Sequence, residues 1–114
     1  MARDLPTIRG TQVGLKNPAL VDQIKAQMRS GQFPYDEIGC RVIGIRDSNG
    51  TCHVKDGHHR MVAAFELYWE TGDSSYVRNL ITFGLWAERP HAPIDSCFLP
   101  ARSRWRTFLN WLGI

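Results

Sequence analysis

The chain has 114 residues, a length that suits one domain, and its 43% hydrophobic and 22% charged contents are ordinary for a globular fold. Its formal net charge of +3 favours anionic partners such as nucleotides or nucleic acid. Three cysteines without CxxC spacing (Cys40, Cys52 and Cys97) argue against a disulfide framework. We also expect no membrane span and no secretory signal peptide, because the sequence lacks the apolar runs that both require.

The first elements in chain order are an extended opening at residues 5–13 and a helix at residues 18–30. Asn17 and Pro18 are typical of a helix start, as the N-cap and the first helical residue. Gly31 lies where a left-handed glycine ends a helix. The apolar residues between them follow helical spacing: Leu20, Val21, Ile24 and Met28.

A hairpin is predicted next, after a loop around Pro34. Its strands are residues 41–46 and 51–55, and Asn49-Gly50 is a strong signal for the turn between them. If these two residues alone form the turn, Ile45 lies opposite Val54.

A second helix is predicted directly after the hairpin, ending at Gly72. Its apolar stripe consists of Met61, Ala64, Phe65 and Tyr68. Ser74 and Ser75 can cap a third element at residues 77–84, which favours a helix but leaves a strand possible. Residues 88–100 indicate an ordered loop, and residues 102–112 a short terminal helix. This order predicts one domain over residues 1–114 of the α/β (α+β) class, with a short mixed sheet and flanking helices.

Residues 56–60 are the candidate functional centre. Here a strand passes through Gly57 into a helix, whose first amides lack internal partners and carry the positive end of the helix dipole. Gly57 allows close approach to the backbone, Asp56 can cap the helix, and His58, His59 and Arg60 add polar groups. Together they favour phosphate binding. The alternative is that Asp56 only caps and the other three side chains merely occupy the first turn.

Residues 54–64, which read Val-Lys-Asp-Gly-His-His-Arg-Met-Val-Ala-Ala, resemble the core motif of the ParB/sulfiredoxin-like superfamily. The order of elements over residues 5–72 is also similar. Sulfiredoxins carry Gly-Cys-His-Arg, and here His58 stands in the cysteine's place, which argues against sulfinic acid reduction. The resemblance implies that Gly57, His59 and Arg60 bind phosphate and that Arg9 and Gln12 lie at the edge of the pocket.

The whole chain looks closest to the ParB-like toxin domains at the C-terminal ends of Rhs polymorphic toxins. The segments that resemble these domains are residues 7–15, the Gly-His-His-Arg run, residues 70–73 and residues 99–102. The resemblance implies an antibacterial effector, delivered by type VI secretion into the cytoplasm of a target cell and opposed by a cognate immunity protein.

The expected activity is hydrolysis of phosphoester or phosphoanhydride bonds, as a nuclease or a nucleotide phosphohydrolase acting on ATP or CTP. His58 is the candidate general base, because histidine titrates near neutral pH, and Arg60 would stabilise developing charge. Asp56 and Glu66 are candidate Mg²⁺ ligands. The alternative function is a nucleotide-binding module without turnover that acts through a protein partner.

Other conspicuous residues favour structural interpretations. Cys52 and His53 are strand neighbours that point to opposite faces, which argues against a zinc site. Cys40 and Cys97 are expected to be buried, and Glu66 and Glu70 to form a solvated helix face. The tail at residues 102–106 mixes arginines with Trp105; sealing the core is favoured over binding single-stranded nucleic acid.

Overall fold

The structure, a computed structural model, describes residues 5–100. The helix predicted at 102–112 and the basic tail lie outside the described residues. Within residues 5–100 the elements follow in the order β1 (Ile8–Arg9), α1 (Pro18–Arg29), β2 (Ile43–Arg46), β3 (Cys52–Asp56), α2 (His58–Thr71), α3 (Ser75–Phe83) and β4 (Leu85–Glu88), with a 3₁₀ turn at Ile38–Cys40.

The four strands form one mixed sheet in the order β1-β3-β2-β4. Strand β3 pairs in parallel with β1 and antiparallel with β2, and β2 pairs in parallel with β4. These pairings confirm the predicted α+β class and its short mixed sheet.

The helix boundaries agree closely with the sequence signals. Helix α1 begins at Pro18, although the Asn17 side chain makes no capping hydrogen bond. Gly31 and Gly72 follow α1 and α2 with φ angles of +77° and +76°, the left-handed conformation that favours glycine. The third element is helical, which settles the alternative between helix and strand. Strand β4 occupies part of a region with no strand prediction, since its pairing to β2 is a distant contact that no local pattern indicates.

The hairpin register differs from the prediction by one residue. The Asp47 amide donates to the Thr51 carbonyl at 3.0 Å, so three residues separate the strands and Gly50 is left-handed at φ +81°. Ile45 therefore pairs with His53, and Val54 pairs with Gly44. The predicted Ile45–Val54 pair is wrong because a three-residue loop replaces the two-residue turn.

Helix α2 runs through the centre of the core, where every residue from Met61 to Tyr68 is buried. This includes Glu66, so its predicted place on a solvated face is wrong. Its carboxylate lies 3.1 Å from the Lys25 ammonium of α1 because α1 packs against this side of α2. Glu70 is more accessible and pairs with Lys25 and with Arg29, the latter at 2.8 Å.

Cys40 and Cys97 are half-buried rather than buried, whereas Cys52 is buried. Among residues 5–100, no helix is both long enough and apolar enough to cross a membrane.

Candidate functional site

The junction between β3 and α2 is a left-handed glycine followed directly by the helix. Gly57 has φ +107° and ψ 25° and is the N-cap of α2, which begins at His58. In the part of the chain that the structure describes, no side chain caps the first amides of this helix. The predicted cap by Asp56 is wrong because this residue belongs to β3; its side chain is 71% exposed and lies 3.5 Å from Arg60. The first amides of α2 therefore keep their donor capacity.

Arg60 folds back over this junction. A Cβ atom added to Gly57 would lie 3.1 Å from the Arg60 Nη2 and 3.3 Å from its Nε. The Nη2 donates to the Arg41 carbonyl at 3.2 Å. The Nε is buried and has no hydrogen-bond partner among the described residues. Because a buried donor without a partner is costly, this guanidinium retains capacity for an anionic group beside Gly57.

The His58 imidazole is buried beneath the segment that links β1 to α1, which we call the β1–α1 loop (residues 10–17). The side chain accepts a hydrogen bond at Nε2 from the Thr11 amide at 3.0 Å. A Cβ at Gly10 would lie 3.2 Å from the ring. Burial, followed by the nearby His59, lowers the pKa of His58, which favours the neutral ring. The Nε2 lone pair is therefore occupied, and the proton of the neutral ring resides on Nδ1.

His59 makes the equivalent contact at the other end of the same loop. Its Nε2 accepts a hydrogen bond from the Asn17 amide at 3.0 Å. Burial lowers the pKa of His59, with further contributions from Arg60 and Lys16. Both imidazoles thus hold the β1–α1 loop against the start of α2 as hydrogen-bond acceptors.

Arg9 and Gln12, predicted at the pocket edge, make their described contacts elsewhere. The Arg9 Nε donates to the Ser96 hydroxyl at 3.0 Å, and its guanidinium lies 5.0 Å from the centre of the Phe98 ring. The Gln12 side-chain amide donates to the Gly14 carbonyl. Neither side chain hydrogen-bonds to residues 57–60 in the described part of the chain.

The two candidate Mg²⁺ ligands are not brought together. Glu66 pairs with Lys25 and lies eight positions along the helix from His58, a rise of about 12 Å. Asp56, in contrast, lies exposed beside the first turn of α2. Within residues 5–100, no group of three or more His, Cys, Asp or Glu side chains is arranged to hold a metal ion.

No protein-family model, curated protein or solved structure matches this chain. The resemblance to the ParB/sulfiredoxin-like superfamily therefore depends on residues 54–64 and on the order of the elements. The geometry of the site has to support a function by itself.

Sequence reasoning missed the backbone groups that complete this site. The backbone amides of Thr11 and Asn17 donate hydrogen bonds to the imidazoles of His58 and His59. The Arg41 carbonyl accepts a hydrogen bond from Arg60. Backbone groups carry no residue-specific signal. The one available hint was Gly10, whose missing side chain leaves space for the His58 ring.

Proposed function

We propose that this protein binds a phosphate group of a nucleotide or of nucleic acid at the start of α2 and hydrolyses a phosphoester or phosphoanhydride bond there. The observation that carries the proposal is the buried Nε of Arg60, which has no hydrogen-bond partner among residues 5–100 and lies over Gly57 beside the first amides of α2. Oriented amides, a helix dipole and a guanidinium at one point are a favourable environment for phosphate oxygens. The positive net charge supports an anionic ligand.

In this proposal Arg60 binds the phosphoryl group and stabilises the negative charge that develops on it. His58 is the general base, and its neutral ring is suited to accept a proton from water. Its Nε2 becomes available only when the Thr11 amide moves away, because that amide now occupies the lone pair. Movement of the β1–α1 loop is therefore a required step before hydrolysis.

In this proposal a magnesium ion would be held through one protein ligand. Mg²⁺ in phosphate-processing sites keeps several waters and uses one or two carboxylates together with substrate oxygens. The exposed carboxylate of Asp56 suits that role, whereas Glu66 is committed to the interface between α1 and α2. The ion would neutralise phosphate charge when bound.

The biological role that we propose is an antibacterial effector domain of the ParB-like toxin type. It would act in the cytoplasm of a target cell and be neutralised by a cognate immunity protein. This part of the proposal is supported by the resemblance at residues 54–64 and by the similar segments elsewhere in the chain.

A nucleotide-binding module without turnover is the second candidate. It is favoured by the occupied Nε2 atoms of His58 and His59, which leave no imidazole base in place while the β1–α1 loop keeps this position. A partner protein would recognise the nucleotide-bound form of such a module.

Binding and turnover assays on matched variants test both candidates. Arg60→Gln should weaken binding of ATP or CTP by about 10- to 100-fold, the effect of losing a charge-assisted contact. Arg89→Gln removes the same charge from an exposed residue at the end of β4 and should bind normally. His58→Gln keeps an acceptor for Thr11 but removes the base, so binding should persist while hydrolysis is lost.

Substrates for these assays are ATP, CTP, RNA and plasmid DNA, each with and without Mg²⁺. Binding without product from any of them would support the module without turnover. If folded Arg60→Gln and His58→Gln proteins keep wild-type activity, the site assignment is wrong. In cells that express the chain, falling ATP with intact DNA would indicate nucleotide hydrolysis, and fragmented DNA would indicate a nuclease.

A further inference from the structure

A second group of polar residues, separate from those assigned to the phosphate site, surrounds His53 of β3. The His53 imidazole is 1% exposed and is held between two side chains. Its Nε2 is 2.8 Å from the Asp47 Oδ2, and its Nδ1 is 2.8 Å from the Ser96 Oγ. A carboxylate, an imidazole and a hydroxyl thus form a continuous row.

The chemistry of the partners fixes the direction of these hydrogen bonds. An ionised carboxylate only accepts, so the His53 Nε2 carries the proton and donates it to Asp47. The hydrogen bond from His53 is also the main reason that the pKa of Asp47 is lowered, which keeps the carboxylate ionised. The Nδ1 of the neutral ring is then an acceptor, and the Ser96 hydroxyl donates to it.

Each member of the row is held in place by the backbone. The other oxygen of Asp47 accepts the amides of Asn49 and Thr51 at 2.9 and 3.1 Å, which fixes the carboxylate in the hairpin loop. Residue Cys97 pairs with Gly10 through two backbone hydrogen bonds of 2.8 Å, which hold the adjacent Ser96 beside β1. Preorganisation of this kind is what a nucleophile and its base require.

A cation lies at the nucleophile end of the row. The Arg9 Nε donates to the Ser96 Oγ at 3.0 Å. The guanidinium therefore lies beside the nucleophilic oxygen, within reach of the carbonyl oxygen of an ester whose carbon is attacked there, which is where negative charge develops. Ser96 is half-buried, whereas Asp47 and His53 are buried, so the carboxylate and the imidazole are shielded from bulk water and the serine is the most accessible member of the row.

We propose that Ser96 is a nucleophile activated by His53 and Asp47, and that it hydrolyses small carboxylic esters through an acyl-enzyme. The Ser96 Oγ forms a bond to the carbonyl carbon while its proton passes to the His53 Nδ1. The ester C–O bond breaks, and the same proton goes to the departing alcohol. Water then attacks the acyl carbon, gives one proton to Nδ1, and releases the acid as Ser96 recovers its hydrogen. Arg9 stabilises the oxyanion in both halves. This inference is independent of the phosphate site.

Covalent labelling of the full chain tests the proposal. A fluorophosphonate probe should form one Ser96 Oγ–P bond with loss of fluoride, and tandem mass spectrometry of the wild-type protein should locate the adduct. 4-Nitrophenyl acetate should acetylate the same residue and release nitrophenol. Ser96→Ala should abolish both reactions, whereas Ser30→Ala, which alters an exposed serine after α1, should react like wild type.

The positioning role of Asp47 has its own test. Asp47→Asn keeps an oxygen for the loop amides but places an amide donor at His53, which should move the ring proton to Nδ1 and remove the base. Labelling should slow at least about 100-fold, by analogy with loss of the correct tautomer in serine hydrolases. Nitrogen-15 chemical shifts of His53 should report the tautomer change. An unlabelled wild-type protein, labelling at other residues, or an equally reactive Asp47→Asn protein would overturn the proposal.

Discussion

Two histidine regions of this molecule use their imidazoles in opposite ways. At the start of α2, His58 and His59 each accept a backbone amide at Nε2 and so hold the β1–α1 loop. On β3, His53 lies between the Asp47 carboxylate and the Ser96 hydroxyl. The first pair uses its lone pairs to hold the loop, whereas the His53 ring directs its lone pair at the Ser96 hydroxyl.

In both regions the reactivity of a histidine follows from the group that is bonded to each ring nitrogen. The adjacent pair His58-His59 is the more conspicuous feature of the sequence, but its Nε2 atoms are occupied. His53 has no motif around it, and its partners come from the hairpin loop and from a distant loop residue. Substitutions and pH changes at these residues should therefore have separable effects on the loop and on the site.

Gly57→Ala should lower the free energy of unfolding by about 2–4 kcal/mol, measured by urea denaturation. The left-handed backbone alone costs a residue with a Cβ about 1–2 kcal/mol. The added atom would also lie only 3.0 Å from a Val42 methyl group and 3.1 Å from the Arg60 guanidinium. Gly50→Ala is the matched control, because Gly50 is left-handed with nothing within 4 Å of its missing Cβ. If both variants lose the same free energy of unfolding, the contacts of the added atom with Val42 and Arg60 contribute nothing to the cost.

His58→Phe should destabilise the protein by about 1–3 kcal/mol, the cost of leaving the half-buried Thr11 amide without its acceptor on the buried His58 ring. His59→Phe should cost less than about 1 kcal/mol, because Asn17 is exposed and its amide can bond to water. Thermal unfolding and the exchange protection of the two amides measure the difference. A larger loss of stability in His59→Phe than in His58→Phe would contradict this prediction.

Acidification should release the β1–α1 loop. The pKa values of His58 and His59 lie below the ordinary 6.5, so above that pH the rings are neutral whether the loop is closed or open. As the pH falls below 6.5, the two histidines of the open loop bind protons, whereas those of the closed loop stay neutral. The equilibrium therefore shifts from the closed to the open loop, and the shift ends once the pH is below the lowered pKa values of the closed state. Protection factors of the Thr11 and Asn17 amides should fall by up to about tenfold per pH unit for each proton.

The hairpin loop provides an internal control for this titration. The Asn49 and Thr51 amides donate to Asp47, whose pKa is lowered from 3.8 mainly by its hydrogen bond to His53. Their protection should therefore persist between about pH 7 and pH 5, where the histidine-held amides lose theirs. Parallel loss at all four amides would indicate global unfolding instead of local release.

The sequence predicted the parts of the fold that local signals encode. Pro18, Gly31 and Gly72 marked helix ends correctly because each acts through its own backbone conformation. The hairpin was located, but its register depended on whether Gly50 closes a two- or a three-residue loop, and both use glycine. Strand β4 was missed because its partner lies about 40 residues away in β2, beyond any local periodicity.

Only those parts of the candidate site that are contiguous in the sequence were predictable. The strand, Gly57 and the basic first turn of α2 are adjacent in the chain, so a motif could find them. The burial of Glu66 against Lys25 and the position of Arg9 beside Ser96 depend on how distant elements pack. The row through His53 joins residues from three segments and has no sequence signature.

The sheet order also bears on how copies of this protein behave in concentrated solution. Its edges are β1, with two residues, and β4, with four. Strand β1 is continued by the backbone pairing of Gly10 with Cys97, and Pro90 follows soon after β4. Within residues 5–100, short edges and a nearby proline leave little unpaired backbone for another chain to extend. The architecture thus disfavours aggregation by strand addition while its longest strand, β3, remains interior.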